Sequence, residues 1–318
     1  MKVGIDIMGG DYAPKAVVEG IILASGEVGK DTTIVMFGDK RQIEAILAEN
    51  NAKPDNIEIV HTEEAIEMGE SPTQAFVKKP NSSIAVGFDY LKRGLIDGFA
   101  SAGSTGAMMV GCMQVIKPVE GILRPTIAAP LPTYDGGSVY ILDMGLNIDS
   151  KPEVLYQYGE IGSIYAQTLG IENPRIGLMN IGEEAEKGNS LTKAAFQLMN
   201  ETDKFNFIGN VESKHIFTGE MADVIVCDGF VGNIVLKMME GIYPFFLKSK
   251  ELRESAFVQG LNSEMAGGTP VLGINSTVLI GHGCSSAFAI KNMVLETEKT
   301  VSDRLVDKIK EAFADEKN

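Results

Sequence analysis

The sequence is poor in the features that mark several large classes of protein. It contains no tryptophan and only three cysteines, Cys112, Cys227 and Cys284, which show no CxxC spacing and form no even set for a disulfide framework. This usage is typical of a reducing, intracellular compartment. No apolar run approaches the roughly 18 residues that a membrane-spanning helix needs, and residues 1–10 do not resemble a signal peptide. We therefore expect a cytoplasmic protein that at most rests on the inner surface of a membrane.

Positive charge is also scarce. The chain has 28 basic and 43 acidic residues, so its formal net charge is -15 at pH 7. Broad nucleic-acid binding depends on clustered lysine and arginine. The charge balance therefore disfavours a nucleic-acid partner, and an acidic protein partner would have to meet a local basic patch.

Common nucleotide, metal and hydrolase motifs are missing. Neither GxxxxGK[ST] nor GxGxxG occurs, which disfavours a P-loop nucleotidase and a standard dinucleotide site. His61, His215 and His282 are far apart and belong to no HExxH or Cys/His cluster, so we predict no metal site and no cofactor. The segment "GHGCSSA" is a loose match to a nucleophile elbow whose final glycine is absent, which disfavours a serine hydrolase.

The chain does contain short apolar runs that alternate with longer stretches of helical period. This alternation predicts an α/β protein with three layers, in which a mostly parallel sheet is covered by helices on both faces. The neighbouring runs "TIAAPL" and "SVYILDM" predict a hairpin across "PTYDGG". No linker is visible, so we expect a single α/β catalytic domain over residues 1–318, with two lobes crossed by the chain as the alternative. Residues 238–268 are predicted to form a helical excursion, and one long helix is predicted near 285–313.

Six predicted strands end in glycine next to aspartate, asparagine, serine or histidine. The six segments are "DIMGGDYAP", "SAGSTGA", "LDMGLN", "NIGEEAEKGN", "VCDGFVGN" and "IGHGCSS". A single Asp-Gly or Gly-Gly is usually no more than a turn. Ligands of parallel sheets bind beyond the carboxyl ends of the strands, so the recurrence predicts a binding site at one sheet edge.

The segment "FASAGSTGAMMVG" carries the clearest sign of the ligand. Glycines let backbone N–H groups approach a ligand closely, and a helix that starts at Ser104 or Thr105 directs its free N–H groups and positive dipole end towards it. This chemistry suits a phosphate or a developing tetrahedral oxyanion. The predicted phosphate- or oxyanion-binding residues are Gly9, Gly10, Ser101, Gly103, Ser104, Thr105, Gly106, Asn147, Asp228 and Gly229.

Together these motifs closely resemble the bacterial phosphate acyltransferase family of phospholipid synthesis. The match runs along nearly the whole chain and includes "MGESPTQAFVKKPNSS", "RPTIAAPLPT", "LDMGLNIDSKPE", "DVIVCDGFVGNIVLK" and "HGCSSAFAIKN". Two positions depart from the family pattern: Ser104 stands where asparagine is usual, and Leu146 where alanine is usual. Leu146 could narrow the pocket or shift the acyl preference.

The resemblance implies that a fatty acyl group moves from the thioester of acyl carrier protein to inorganic phosphate. It also implies a homodimer, a position at the membrane periphery, and a fold similar to the isocitrate/isopropylmalate dehydrogenase group and to phosphotransacetylases. Since phosphate is itself the nucleophile, no activated serine is required. We expect Lys187 to supply a cation, Asn189 and Asn233 to supply neutral donors, and His282 to protonate the leaving thiolate. The plain alternative for Lys187 is a solvated surface lysine.

Residues 243–261 combine apolar and basic side chains. At helical spacing Tyr243, Phe246 and Leu247 share one face, Leu252, Ala256, Phe257 and Leu261 share another, and the nearby cations are Lys248, Lys250 and Arg253. This pattern predicts a contact with the membrane surface or with the acidic carrier protein. Packing in the core or against a second subunit is the alternative.

Three other functions stay open at this point. A phosphotransacetylase that acts on coenzyme A thioesters would show similar strand-end loops. A metal- and NAD-dependent decarboxylating dehydrogenase should show clustered arginines for substrate carboxylates, and no such cluster is evident in the sequence. A scaffold that binds carrier protein or membrane without catalysis is the non-enzymatic alternative.

Overall fold

The structure is a computed structural model that describes residues 1–314, except for the side chain of Ser263. The strands are β1 (Lys2–Asp6), β2 (Thr33–Gly38), β3 (Ile57–His61), β4 (Gly98–Ser101), β5 (Thr126–Ile127), β6 (Ala129–Pro132), β7 (Ser138–Leu142), β8 (Arg175–Asn180), β9 (Asn206–Glu212), β10 (Val224–Val226), β11 (Gly268–Leu272) and β12 (Thr277–Gly281).

The helices are α1 (Lys15–Ser25), α2 (Lys40–Glu49), α3 (Pro72–Lys78), α4 (Ser83–Lys92), α5 (Thr105–Val110), α6 (Pro152–Thr168), α7 (Ser190–Asn200), α8 (Gly229–Phe246), α9 (Lys250–Arg253), α10 (Ala256–Gly260), α11 (Ser263–Ala266), α12 (Ala287–Ser302) and α13 (Leu305–Ala314). The α5 helix runs on as a π-helical stretch, Gly111–Ile116, and a short 3₁₀ turn covers Ser213–His215.

The chain divides into two compact units. Unit 1 comprises residues 1–119 and 263–306, and unit 2 comprises residues 120–262 together with the chain from Asp307 on. The chain therefore passes from one unit to the other three times. The expectation of a single catalytic domain stays a prediction.

The sheet of unit 1 brings three of the polar strand ends side by side. Its strands follow the order β3-β2-β1-β4-β12-β11, and only β11 is antiparallel to its neighbour. Ile5 is in register with Ala100, and Ala100 with Leu279, so β1, β4 and β12 end at the same edge. The apolar runs form strands because both sheet faces are buried, as in other parallel sheets. Helices α1 and α12 cover one face, and rings such as Phe88 and Phe99, 5.3 Å apart, fill the other.

The sheet of unit 2 brings the other three polar strand ends side by side. Its order is β6-β7-β10-β8-β9, with β6 antiparallel to β7 and the remaining pairs parallel. Val224 pairs with both Tyr140 and Ile176, so β7, β10 and β8 end at one edge. The six polar strand ends therefore belong to two sheets, and the prediction that all six lie at one sheet edge is wrong. The reason is that β6 to β10 form a sheet of their own.

Most of the predicted elements are confirmed. The α/β class with mostly parallel strands is correct, and the hairpin forms with Pro130 paired to Tyr140. Residues 238–266 comprise the end of α8 and the short helices α9, α10 and α11, but β11 begins at Gly268 and was not predicted. The long helix near 285–313 is wrong: α12 ends at Ser302, and Arg304 has a φ of 54°, a conformation that no α-helix can contain.

Candidate active site

In unit 1, the loops after β1 and β4 meet at their backbones. A Cβ atom on Gly9 would lie 2.7 Å from both the nitrogen and the Cα of Gly103, and even closer to Asp6 Oδ2. A Cβ atom on Gly103 would lie 2.9 Å from the Cα of Gly9. Only glycine fits at either position without moving the loops. Part of the bare backbone around residue 103 therefore serves loop-to-loop contact.

A buried carboxylate ties these two loops together. Asp6 Oδ2 accepts a hydrogen bond of 2.6 Å from Ser101 Oγ, and Asp6 Oδ1 accepts one of 3.0 Å from the N–H of Met8. Ser101 Oγ in turn accepts the N–H of Gly103 at 2.9 Å. Burial raises the pKa of Asp6, against the opposing effect of its hydrogen bonds. The N–H of Gly103 is thus used inside the loop and is not offered to a ligand.

The donors that remain lie at the start of the following helix. Ser104 caps this helix, since its Oγ accepts the N–H of Ala107 at 3.3 Å. Within residues 1–314, no hydrogen bond is donated by the backbone N–H groups of Ser104, Thr105 and Gly106. The Thr105 side chain is exposed, and a Cβ on Gly106 would collide with the ring of Pro72. These three N–H groups at a helix start can bind an anion.

The loop after β12 is joined to the loop after β1. The N–H of Asp11 donates to the carbonyl of Gly283 at 2.7 Å. Gly10 has a φ of 112°, and a Cβ there would lie 3.2 Å from that same carbonyl oxygen. His282 is exposed at the start of this loop. The structure thus brings Gly9, Gly10, Ser101, Gly103, Ser104, Thr105, Gly106 and His282 to one edge of the unit 1 sheet.

In unit 2, Asp143 organises the loop after β7. Its Oδ2 accepts hydrogen bonds of 2.6 Å and 2.9 Å from the backbone N–H and Nδ2 of Asn147, and its Oδ1 accepts the N–H of Leu146 at 3.2 Å. Asp143 is fully buried, and burial raises its pKa. The hydrogen bonds from Leu146 and Asn147 fix the path of this loop.

The start of α8 packs on this loop. The N–H of Gly229 donates to the carbonyl of Asn147 at 2.8 Å, and Asp228 caps the helix by accepting the N–H of Val231 at 2.9 Å. A Cβ on Gly229 would lie 2.8 Å from the backbone nitrogen of Asn147. Asn233 lies one turn further along and is exposed. The predicted residues Asn147, Asp228, Gly229 and Asn233 therefore form one cluster.

Lys187 and Asn189 lie on the loop after β8, the strand next to β10. Two asparagines close this loop: Asn180 Nδ2 donates to the Lys187 carbonyl at 3.2 Å, and Asn210 Nδ2 donates to the Glu184 carbonyl at 2.9 Å. The Lys187 side chain is exposed. Asn189 uses its Oδ1 to cap α7, accepting the N–H of Thr192 at 2.9 Å, which leaves its amide N–H groups as its donors.

The segment 243–261 exposes other residues than the sequence predicts. Phe245 is 66% exposed, whereas Phe246 is half-buried. The ring of Phe257 lies 5.0 Å from Tyr134 and 5.5 Å from Phe217, so it packs inside unit 2. Phe246 and Phe257 are half-buried because their rings pack on neighbouring aromatic rings, whereas Leu252 and Ala256 of the predicted second face are exposed. The predicted contact with a membrane or a carrier protein stays a prediction. The exposed apolar residues of this region are Phe230, Ile234, Met238, Phe245 and Leu252.

Comparison with known proteins shows the family of this chain. A model of the family described as "Fatty acid synthesis protein" matches residues 1–308. A protein of Halothermothrix orenii named phosphate acyltransferase is 40% identical over 330 residues, which cover 98% of each chain. The chain belongs to this family. The resemblance to phosphate acyltransferases is thereby confirmed, and the members of this family are acyltransferase enzymes.

Solved structures share the fold of the family member described here. A phosphotransacetylase from Streptococcus pyogenes is 18% identical, with a TM-score of 0.68 over 95% of this chain and 94% of its own. A putative 4-hydroxythreonine-4-phosphate dehydrogenase from Salmonella typhimurium is 15% identical, with a TM-score of 0.53 over 97% and 99%. The predicted likeness to phosphotransacetylase and dehydrogenase folds is confirmed. None of the helices within residues 1–314 is long and apolar enough to cross a bilayer.

Some residues that shape the site were not among those predicted to bind or react. The loops are held by Asp143, Asn180 and Asn210, which lie outside the predicted set. Pro72, which packs against Gly106, belongs to a helix that was not predicted. For Asp143 a signal existed, because it directly follows the apolar run of β7 and the strands of parallel sheets are buried on both faces. For Asn210 there was none, since its partner is 26 residues away in the chain.

Proposed function

We propose that the protein transfers a fatty acyl group from a thioester to inorganic phosphate and releases acyl phosphate for phospholipid synthesis. An oxygen of phosphate attacks the thioester carbon, the C–S bond breaks, and the thiolate leaves and takes up a proton. The observation that carries this proposal is the loop Ser101–Gly106, in which three neighbouring backbone N–H groups have no acceptor among the described residues. The name of the Halothermothrix orenii relative, phosphate acyltransferase, supports it.

The roles of the site residues follow from the hydrogen-bonding groups that they carry. The N–H groups of Ser104, Thr105 and Gly106 bind phosphate or the oxyanion, and Gly9, Gly10, Ser101 and Gly103 give the loop its shape. Lys187 stabilises the negative charge of the transition state, and Asn189 and Asn233 donate neutral hydrogen bonds. His282 protonates the leaving thiolate. Asn147, Asp228 and Gly229 hold the start of α8 rather than touch the substrate.

The donor thioester is that of acyl carrier protein, and the enzyme works as a homodimer at the cytoplasmic side of the membrane. The family resemblance supports these assignments. Exposed cations, Lys250 and Arg253, lie beside exposed apolar Phe245 and Leu252, and Lys248 lies 4.9 Å over the Phe245 ring. A surface of this kind suits an acidic carrier protein or an anionic lipid surface.

One assay separates this function from its alternatives. The protein is incubated with phosphate and either palmitoyl-acyl carrier protein or palmitoyl-coenzyme A, and acyl phosphate is trapped as the hydroxamate. Phosphate-dependent product from the carrier-protein thioester supports the proposal. Product from the coenzyme A thioester alone indicates a phosphotransacetylase, and no product from either indicates a non-catalytic scaffold. Sedimentation equilibrium tests the homodimer, and a monomer at assay concentration would contradict it.

A further inference from the structure

Asp143 is a buried aspartate of unit 2 that directly follows β7. It has no solvent exposure and accepts three hydrogen bonds from residues 146 and 147, at 3.2, 2.6 and 2.9 Å. No exposed atom of this carboxylate is left to meet a substrate. Its effect on any reaction must therefore pass through the loop that it holds.

Asn147 links Asp143 to Pro125 and to the start of α8 by hydrogen bonds. Its Nδ2 donates both to Asp143 and to the carbonyl of Pro125, the latter at 2.8 Å. Its own carbonyl accepts the N–H of Gly229, the first residue of α8. Every polar group of Asn147 named here has a partner, so its position follows from that of Asp143.

The same loop contacts the side chain of Asn233. Gly145 has a φ of 111°, and a Cβ there would lie 3.1 Å from Asn233 Oδ1 and 3.2 Å from Asn233 Cβ. One residue before Asn233, Gly232 packs on the backbone carbonyl of Asp143, where any Cβ would collide. The first turn of α8 and the Asn233 side chain thus lie directly on residues 143–147.

We propose that Asp143 is a positioning residue that places the Asn233 amide for catalysis through Asn147 and Gly145. This inference rests on the proposed function, in which Asn233 donates to the reacting groups. A carboxyl group suits this place, because its two oxygens accept three N–H groups. The amide of an asparagine would turn an NH₂ group against N–H groups and leave donors without acceptors.

The kinetic test is a double-mutant cycle with Asp143→Asn and Asn233→Ala. We expect Asp143→Asn to lower kcat about 10- to 100-fold, as a misplaced catalytic group does, with unchanged KM for phosphate. In the double variant, kcat should fall no further than in Asn233→Ala alone, because both changes remove the same interaction. Additive losses, or an unchanged kcat in folded Asp143→Asn, would overturn the proposal.

Asp223→Asn is the control for loss of a half-buried carboxylate that accepts several hydrogen bonds. Asp223 also accepts three hydrogen bonds, all from Arg175, but it directly precedes β10 and so lies at the opposite end of the strand from the site. This variant should lower the free energy of unfolding and leave kcat unchanged. An equal loss of kcat in Asp223→Asn would show that the effect of Asp143→Asn is merely structural.

A second pair of variants covers the case in which Asp143→Asn does not fold. Gly145→Ala adds a methyl group against Asn233 at a positive φ, and Gly136→Ala adds one at a φ of 87° with nothing within 4 Å. Both variants place an alanine at a positive φ, but only Gly145→Ala should lower kcat. Equal kcat in the two would overturn the proposal.

A spectroscopic measurement keeps this inference separate from the proposed function. The side-chain ¹⁵N–H signals of Asn233, assigned with the Asn233→Ala variant, should shift in Gly145→Ala and stay in place in Gly136→Ala. This outcome needs no turnover. If the signals shift although the wild-type protein forms no acyl phosphate, the proposed function fails and the positioning role stands. Signals that stay in place in Gly145→Ala would contradict the positioning role.

Discussion

Buried aspartates recur at the residue scale. Asp6 ends β1 and Asp143 directly follows β7, and each accepts hydrogen bonds from the loop that comes after its strand. Burial raises the pKa of both carboxyls because the charged form loses its hydration. Burial of each carboxylate is unfavourable for stability, but the hydrogen bonds that it accepts fix the shape of the loop.

The raised pKa of Asp6 predicts the sign of a pH effect on stability. Folding takes up a proton in the pH range between the ordinary and the raised pKa of this group. The unfolding free energy of the wild type relative to Asp6→Asn should therefore increase as the pH falls from neutral into the carboxyl range, and decrease again as the pH rises through the raised pKa. Urea unfolding at several pH values measures this difference.

Asp39 supplies the control of opposite sign. Hydrogen bonds from the side chain of Gln42 and the N–H of Arg41 lower the pKa of Asp39. Folding then releases a proton at this site, so the wild type should lose stability relative to Asp39→Asn as the pH falls. Difference curves of the same slope for both variants would contradict the assignment for Asp6.

Lys187 carries the clearest prediction for the reaction. Lys187→Ala should lower kcat by about one to three powers of ten if the ammonium group stabilises the charge of the transition state. Lys193→Ala removes another exposed lysine, on α7, and should leave kcat unchanged. Unchanged steady-state kinetics in Lys187→Ala would remove this residue from the mechanism and make it a surface lysine.

At the scale of elements, the junction of loops decides the shape of the site in unit 1. The loops after β1 and β4 touch at Gly9 and Gly103, and Asp6 and Ser101 cross-link them. Neighbouring parallel strands force these loops together, because both strands end at the same edge. The glycines at this junction are therefore needed for packing of the two loops as well as for ligand binding.

Substitution of either glycine tests this junction. Gly103→Ala places a methyl group 2.9 Å from the Cα of Gly9, so the loops must separate, and we expect the unfolding free energy to fall by about 1–3 kcal/mol. Gly26→Ala is the control, since nothing lies within 4 Å of its Cβ position. Chemical denaturation of both variants makes the comparison. A Gly103→Ala protein as stable as Gly26→Ala would show that the loops can separate without loss of unfolding free energy.

The sequence could predict elements better than their assembly. Apolar runs such as "TIVMFG" become strands because both faces of these sheets are buried, and strand-end glycines mark where the loops begin. The division into two sheets could not be predicted, because β4 and β12 pair although 175 residues separate Ser101 from Thr277 in the numbering. The contact between Gly145 and Asn233 could not be predicted either, because the two residues are far apart in the sequence. β11 was missed because Pro270 and its flanking glycines are typical of loops.

At the scale of the whole molecule, exposed apolar side chains meet basic ones in residues 245–253. Phe245→Ser combined with Leu252→Ser should reduce flotation with vesicles of anionic phospholipid, because both side chains are exposed and Lys248, Lys250 and Arg253 lie nearby. Phe257→Ser serves as the control. It should lower the melting temperature through loss of ring packing and leave flotation of the folded protein intact. Equal flotation of the double variant and the wild type would argue against membrane contact here.

The path of the chain also has a consequence for synthesis on the ribosome. The strands of unit 2 from β6 to β10 emerge completely before β12, the partner that covers the free side of β4. The nascent first half of unit 1 therefore carries an open strand edge while some 180 residues are still being translated, roughly ten to thirty-five seconds at ordinary elongation rates. Cells that produce this enzyme must therefore either protect that strand edge with a chaperone or tolerate its exposure during synthesis.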